Sequence, residues 1–375
     1  SGPLCAAVTG QPDSKAQLEA LERGNFFVVP LDDRRHWYRY HHLFAEVLRV
    51  HLAADLPEQL SPLHGRASAW YEQHGSVNDA IHHAIAAQNF ERAANLIERA
   101  IPEIRRTRQE STLLGWLRTL PNELVRNRPV LSAHYAWVLL AQGEMDGVET
   151  RLLDAEQSLD RRAEENRRPQ DQMGNIVAAE EQEARRLPGS IAIYRAGHSL
   201  ASGNMQATVR YAQQALELSS EEDYLQRGAA AALLALVAWS NGDLKEACRF
   251  YPESIERLQR AGHITDAIGC TLSLADICIT QGRLREAMST YEQGLQLAMA
   301  HGGLVLRGAA DMHVGMSELH REQNDLQSAT QHLLKSRELG EFTGLPQNRY
   351  RWRVAMARIQ EAQGQLDSAL ELLRE

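Results

Sequence analysis

The chain has 375 residues, 43% hydrophobic and 24% charged, which is enough for two or three domains or for one long repeat array. Its 40 Lys and Arg against 49 Asp and Glu give a formal net charge of −9, which offers no general attraction for DNA or RNA. Aromatic residues make up only 6%, and Ala and Leu are abundant, which favours helices over sheets. We therefore expect an all-α protein without direct nucleic-acid contact.

The cysteines and the hydropathy pattern indicate the cellular compartment in which we expect the protein. Cys5, Cys248, Cys270 and Cys278 form no CxxC pair and no zinc-binding spacing, which predicts reduced thiols, a cytoplasmic location and no metal site. The longest apolar run, residues 229–239, is too short to span a bilayer, which needs about 20 residues. No signal peptide is recognisable, so we expect no membrane association.

A phosphate-binding loop requires Gly followed by Lys and then Ser or Thr. The three lysines are Lys15, Lys245 and Lys335, and none follows Gly. We therefore expect no NTP-hydrolysing loop, no enzyme activity and no cofactor in this chain. Because the chain begins at Ser1 without Met and ends within a predicted hairpin, we expect it to be part of a longer protein.

The first fifty residues differ from the rest. The pattern predicts a helix over Asp13–Arg23, strands over Phe26–Val29 and Trp37–Tyr40, and a helix from His41 onward. Helix, hairpin, helix is the order of the wing part of a winged-helix domain, so residues 1–52 are interpreted as the C-terminal part of one. Strand alternation would bury half of the aromatic run in the wing, which favours a core role over stacking on nucleic acid.

Residues 53–130 are predicted to form a helical linker with early hairpins, whose turns lie at 75–80 and 88–93. Residues 131–375 are predicted to form a helical superhelix. A charged stretch near 160–186 interrupts it, and we interpret this insertion as a long solvated helix end plus a loop.

Four copies of a turn-plus-helix phrase are centred on Gly242, Gly282, Asn324 and Gly364, with spacings of 40, 42 and 40 residues. Gly or Asn can adopt the left-handed conformation that ends a helix. Each turn residue follows a small residue by seven positions, and precedes an Ala by five and a bulky residue by nine. We expect the small residue to let the two helices approach closely, the Ala to lie on the buried stripe of the second helix, and the bulky residue to fill the gap to the neighbouring hairpin. In the order of the four turns, the small residues are Ala235, Ala275, Ser317 and Ala357. The alanines are Ala247, Ala287, Ala329 and Ala369, and the bulky residues are Tyr251, Tyr291, Leu333 and Leu373.

These offsets are typical of tetratricopeptide (TPR) repeats, with a period of 40 to 42 instead of 34 residues. Weaker copies lie at Gly143 and Gly203. The fold class predicted is therefore an all-α, right-handed, TPR-like helical-hairpin solenoid preceded by a winged-helix remnant.

The first helices of such hairpins line a concave groove. Counting back from the turns predicts groove positions six and three residues before each turn and, in the last two repeats, thirteen before. These are Leu236 and Trp239, Asp276 and Ile279, Glu318 and Arg321, Arg358 and Glu361, and Asp311 and Arg351. The candidate effector residues among them are Trp239, Asp276, Asp311, Glu318, Arg321, Arg351 and Arg358. A small polar ligand could bind there by stacking and bidentate hydrogen bonds. A solvated helix face with ion pairs between repeats explains the same pattern, and both hypotheses stay open.

Two other motifs have a structural explanation. The segment Gly197–Ala201 imitates a hydrolase nucleophile elbow, but the repeat register places Ser199 inside a helix, so no catalytic residue is predicted. The doublets His41–His42 and His82–His83 lack the i, i+4 spacing of a helical metal pair, which favours packing and hydrogen bonding.

Five phrases resemble the MalT-type large ATP-binding regulators of the LuxR family: residues 25–33, 37–49, 70–75, 80–84 and 116–121. The order in that family is a P-loop signal-transduction ATPase, a winged helix, a TPR-like superhelix and a helix-turn-helix. The resemblance implies that ATP and Mg²⁺ belong to an ATPase domain outside this chain. It also implies a superhelix that receives a small-molecule inducer or a regulatory protein and couples it to self-association of the full-length protein.

The function expected is the sensor and protein-interaction region of an ATP-dependent transcriptional activator. The first alternative is a pure protein-binding TPR scaffold without a small-molecule ligand. The second is a hydrolase using Ser199, which the register disfavours.

Overall fold

The computed structural model describes residues 1–166, 177–301, 308–339 and 348–374, and these form twenty helices and one two-stranded sheet. The chain divides into two compact units, of which the first contains Ser1–Gln142 and the second contains the helical hairpins from residue 177 onward. The predicted all-α, TPR-like class is confirmed. The division into 1–52, 53–130 and 131–375 stays a prediction. None of the described helices is both long and apolar enough to cross a membrane.

The first unit begins with α1 (Gly2–Thr9), α2 (Ser14–Arg23), β1 (Val28–Pro30), β2 (Tyr38–Tyr40) and α3 (His42–Asp55). The strands are antiparallel, with the first residue of β1 opposite the last of β2. The predicted order of helix, hairpin and helix is confirmed, although each strand has only three residues.

The aromatic run before α3 is less buried than expected. Trp37 precedes β2 and its side chain is 44% exposed, whereas Tyr38 and Tyr40 are half-buried. Burial therefore alternates along the run as predicted, with Tyr38 and Tyr40 on its inner side, but these two side chains are only half-buried.

The rest of the first unit is helical and is followed by a long helix. The helices are α4 (Pro57–Gln73), α5 (Val77–Ala86), α6 (Phe90–Thr107), α7 (Glu110–Thr119), α8 (Asn122–Arg126), α9 (Pro129–Ala141) and α10 (Val148–Asn166). The predicted turns contain left-handed residues at Gly75 and Gln88, with φ of 79° and 57°. Fully buried Ile81, Ile97 and Leu117 belong to its core.

Ten helices of the second unit form five consecutive hairpins. The first to fifth hairpins are α11 (Val177–Ala201) with α12 (Met205–Leu218), α13 (Tyr224–Ser240) with α14 (Leu244–Arg260), α15 (Ile264–Thr280) with α16 (Leu284–His301), α17 (Ala309–Glu322) with α18 (Leu326–Leu339), and α19 (Asn348–Ala362) with α20 (Leu366–Arg374). Each second helix also packs against the first helix of the next hairpin. The residues 167–176 of the predicted charged insertion lie outside the described residues.

The repeat positions behave as predicted. Gly242, Gly282, Asn324 and Gly364 all have positive φ, between 60° and 79°. The small residues seven before these turns and the alanines five after them are at most 7% exposed. Among the bulky residues, Tyr251, Tyr291 and Leu333 are buried, whereas Leu373 on α20 is 55% exposed. The expectation of burial is wrong for Leu373, because no described helix covers that side of α20.

Candidate functional site

The first helices of the hairpins lie side by side, α11 against α13, α15 against α17, and α17 against α19. Counting from the turns places one row of residues six positions before each turn and a second row three positions before. We call these two rows the first-helix face. Its residues are half-exposed in the first four hairpins and exposed in the fifth: Gly197, Leu200, Leu236, Trp239, Asp276, Ile279, Glu318, Arg321, Arg358 and Glu361.

Trp239 joins this face to the core. Its ring meets that of buried Tyr251 edge-on, with centroids 6.4 Å apart and an interplanar angle of 78°. It also packs against the core of the second and third hairpins. One side of the indole is therefore fixed by packing, and the other remains accessible.

Asp276 and Arg351 meet although 75 positions separate them in sequence. The Arg351 guanidinium donates to both carboxylate oxygens, with Nη2 at 3.1 Å from Oδ1 and 3.3 Å from Oδ2. The Tyr291 hydroxyl donates to the same Oδ1 at 2.7 Å. We call these three residues the Arg351 clasp. It joins α15 and α16 of the third hairpin to α19 of the fifth.

The clasp depends on a glycine in the helix between them. A Cβ added at Gly315 on α17 would lie 2.2 Å from Cζ of Tyr291 and 2.3 Å from its hydroxyl oxygen. Any larger residue would therefore displace the Tyr291 ring. Burial raises the pKa of Tyr291 far above its usual value, and the nearby charge of Asp276 raises it further, so the hydroxyl stays protonated and can donate.

Asp311 differs from expectation because it is fully buried rather than exposed in a groove. Its charge contributes to raising the pKa of Arg351 against the lowering effect of burial, so the two residues are within electrostatic range of each other. The attraction between them offsets part of the cost of burying a carboxylate. Asp311 therefore supports the clasp from α17 and does not line an open surface.

The remaining charged candidates also have partners. Arg358 donates to Glu318 with Nη1 at 2.7 Å from Oε1, which joins α19 to α17. Arg321 pairs with its neighbour Glu322. The charged half of the face consists of Asp276, Glu318, Arg321, Arg358 and Glu361, and the first four of these pair within the protein.

The apolar half of the face consists of Gly197, Leu200, Leu236, Trp239 and Ile279. A Cβ added at Gly197 would meet no heavy atom of the described residues within 4 Å. Gly197 and Leu200 were not among the sequence-derived candidates, although the turn at Gly203 that places them was recognised as a weaker copy. Counting back from that turn would have found both.

Ser199 lies inside α11, two residues before its end. A nucleophile elbow needs a strand before the Ser and a helix after it. The helical position therefore confirms the structural interpretation of this motif. Among the described residues, no group of three or more His, Cys, Asp or Glu is placed to hold a metal ion.

This arrangement defines a class of protein, a winged-helix segment followed by TPR-like hairpins. A family model of the MalT-like TPR region matches residues 189–375, and a model of the MalT winged helix domain matches residues 1–60. The chain belongs to the MalT-like family.

Two curated relatives and one solved structure are similar to it. The HTH-type transcriptional regulator MalT of Serratia proteamaculans (strain 568) is 26% identical over 294 residues, which cover 78% of this chain and 31% of that protein. The serine/threonine-protein kinase PknK of Mycobacterium tuberculosis (strain ATCC 25618 / H37Rv) is 33% identical over 162 residues, which cover 41% of this chain and 15% of that protein. The chain thus spans less than a third of either relative.

The solved structure is that of a signal transduction ATPase with numerous domains (STAND) with a TPR sensor, PH0952 from Pyrococcus horikoshii. The alignment covers 99% of this chain and 52% of the PH0952 chain, with a TM-score of 0.65 and 16% sequence identity. This likeness establishes the fold.

Proposed function

We propose that this chain is the sensor and interaction region of an ATP-dependent transcriptional activator. An effector, either a small molecule or a regulatory protein, binds the first-helix face, and its binding promotes self-association of the full-length protein. ATP and Mg²⁺ act in a part of that protein outside this chain. Membership of the MalT-like family supports the regulatory role.

The observation that carries the proposal is the apolar half of the first-helix face. Leu200, Leu236, Trp239 and Ile279 are half-exposed on three first helices, and Gly197 leaves open space beside them. Clustered exposed apolar side chains on a soluble domain mark binding surfaces, because water is displaced from them on contact.

The charged half of the first-helix face is less suited than the apolar half to the first contact with the effector. A ligand that bound Asp276 or Arg351 directly would have to replace hydrogen bonds that both already make. Breaking a partly buried charge pair leaves its partner unsatisfied. We therefore infer that the effector contacts the apolar half and reaches the clasp only at Asp276, which lies at the border between the halves.

The experiment is a thermal-shift screen of metabolites followed by calorimetry on three variants. Gly197→Leu fills the open space on the face, and Gly115→Leu is its control, because Gly115 on α7 is a helical glycine with equal space in the first unit. An effector at a hundredfold its dissociation constant stabilises the folded state by about 2.7 kcal/mol. That stabilisation should be lost in Gly197→Leu and kept in Gly115→Leu.

Trp239→Ala should weaken the same effector by about 1 kcal/mol or more, in the range of a lost aromatic contact. An effector that binds all three variants as tightly as the unaltered chain would refute the location on the first-helix face.

A protein-binding scaffold is the second candidate. The open space at Gly197 would also let a helix of a partner approach closely, which is how an amphipathic helix docks in a groove. A screen without metabolite hits, together with a protein complex that Gly197→Leu abolishes in size-exclusion chromatography, would favour this candidate over the small-molecule sensor.

A further inference from the structure

Asp276 lies where the charged half of the first-helix face meets the apolar half. Ile279 of the apolar half follows it by one helical turn on α15, so the two side chains are neighbours on one side of this helix. The Asp276 side chain remains 29% exposed although its carboxylate accepts from Arg351 and Tyr291. The border between the halves therefore combines a carboxylate that solvent can reach with apolar surface.

Trp239 lies near the same border. It packs against the core of the second and third hairpins, which includes buried Ile277, the residue that follows Asp276. The indole is half-exposed, so part of its ring surface is open to a ligand. The face of an aromatic ring attracts cations through its quadrupole. The indole and the carboxylate therefore both favour a positively charged group at this border.

The arginines near the border are already bonded. Each of the three arginines of the charged half and the clasp bonds to a carboxylate. Exposed Glu361 and fully buried Asp311 provide two further carboxylates, so these eight side chains carry a net charge of −2. An anionic ligand group would have to displace a carboxylate from its arginine. A cation is attracted by the excess negative charge and breaks none of these bonds.

We propose that the effector is an organic cation whose ammonium group lies beside Asp276 and whose apolar body packs on Ile279 and Trp239. This inference rests on the proposed function, in its small-molecule form, and specifies the charge of the effector. Arg351 and Tyr291 fix the orientation of the carboxylate before the effector arrives, which lowers the entropic cost of binding. A neutral molecule of the same shape would gain only the apolar contacts, and an anion would be repelled.

The test compares three indole probes that differ at the end of a short side chain. Tryptamine is a cation, tryptophol is neutral and indole-3-acetate is an anion. Isothermal titration calorimetry of the 375-residue chain at pH 7 measures the dissociation constant of each probe. We expect tryptamine to bind about tenfold more tightly than tryptophol, in the range for contact with a charged group, and indole-3-acetate to bind most weakly. Added NaCl should reduce this preference.

A pair of variants assigns the preference to Asp276. Asp276→Asn removes the charge and keeps the shape of the side chain, and should weaken tryptamine about tenfold, to the affinity of tryptophol. Glu217→Gln is the control, because it removes the same charge from an exposed carboxylate on α12, outside the first-helix face. The control should leave all three dissociation constants unchanged.

The comparison of the probes in the unaltered chain does not depend on whether a variant folds. Equal binding of the three probes, a preference for indole-3-acetate, or no binding of tryptamine at millimolar concentration would overturn the inference.

Trp239→Ala distinguishes this failure from failure of the proposed site. If the unaltered chain binds the probes without charge preference and Trp239→Ala weakens all three, the site on the first-helix face is supported and the cationic class is wrong. If tryptamine binding depends on Asp276 but not on Trp239, the cationic class is supported and the contact with the apolar half is wrong.

Discussion

The two halves of the first-helix face occupy the same repeat positions and yet have different environments. In the charged half, Asp276 bonds to Arg351 of the clasp, and Glu318 bonds to Arg358. In the apolar half, Leu236 and its neighbours on the face are half-exposed. Equivalent positions in a repeat therefore do not imply equivalent roles. The charged half joins hairpins, and the apolar half is the accessible surface.

The same substitution at two glycines gives the sharpest test of this difference: Gly315, which leaves room for the clasp, and Gly197, which lies in the apolar half. Gly315→Ala should lower the free energy of unfolding by about 3 kcal/mol, because its Cβ would lie 2.2 Å from Tyr291 Cζ. Gly197→Ala should raise it by about 0.5–1 kcal/mol, since Ala is the better helix former and its Cβ meets no described atom within 4 Å. Urea unfolding monitored by circular dichroism measures the free energy of unfolding of both variants. Equal changes in the two would contradict the difference between the clasp and the apolar half.

Acid should destabilise the fourth hairpin, which carries part of the charged half. Nδ1 of His313 lies 2.9 Å from Nδ1 of His332, and the ring of His320 stacks on His332 at 5.2 Å. Burial, together with the charges of His313, His320 and Lys335, lowers the pKa of His332 to about 4. The unfolded chain, with a His pKa of about 6.5, therefore binds more protons between pH 6.5 and 4.

Stability should consequently fall as the pH drops through that window, by about 1–2 kcal/mol between pH 7 and 5 after allowance for partial exposure. His332→Gln should flatten this dependence, whereas His198→Gln, in the first hairpin, should leave it in place. Urea unfolding at both pH values provides the measurement. A profile that His332→Gln does not alter would show that these imidazoles are not the cause.

Two arginines on α19 provide the smallest effects. Arg351→Met removes a clasp residue that is 25% exposed, and should cost about 1–2 kcal/mol because Asp276 loses a partner in a half-buried site. Arg358→Met breaks a pair whose arginine is 49% exposed, and should cost less than about 0.5 kcal/mol. Thermal unfolding distinguishes the two, and comparable losses would mean that the clasp is no stronger than a surface ion pair.

The sequence by itself determined the hairpins and their register. Gly or Asn at each turn, a small residue seven before it and Ala five after it are local requirements of two antiparallel helices, so they can be counted along the chain. The same count placed Ser199 inside a helix. It also placed Trp239 and Asp276 on one face, and it would have placed Gly197 there too.

Only the tertiary structure decided which residues of that face are paired and which are accessible. The contact between Asp276 and Arg351 crosses 75 residues, and it depends on Gly315 leaving room for Tyr291 on a helix between them. The burial of Asp311 follows from the same packing. Sequence periodicity gives the direction of a side chain from its own helix, but burial and pairing depend on what the neighbouring helices place opposite it.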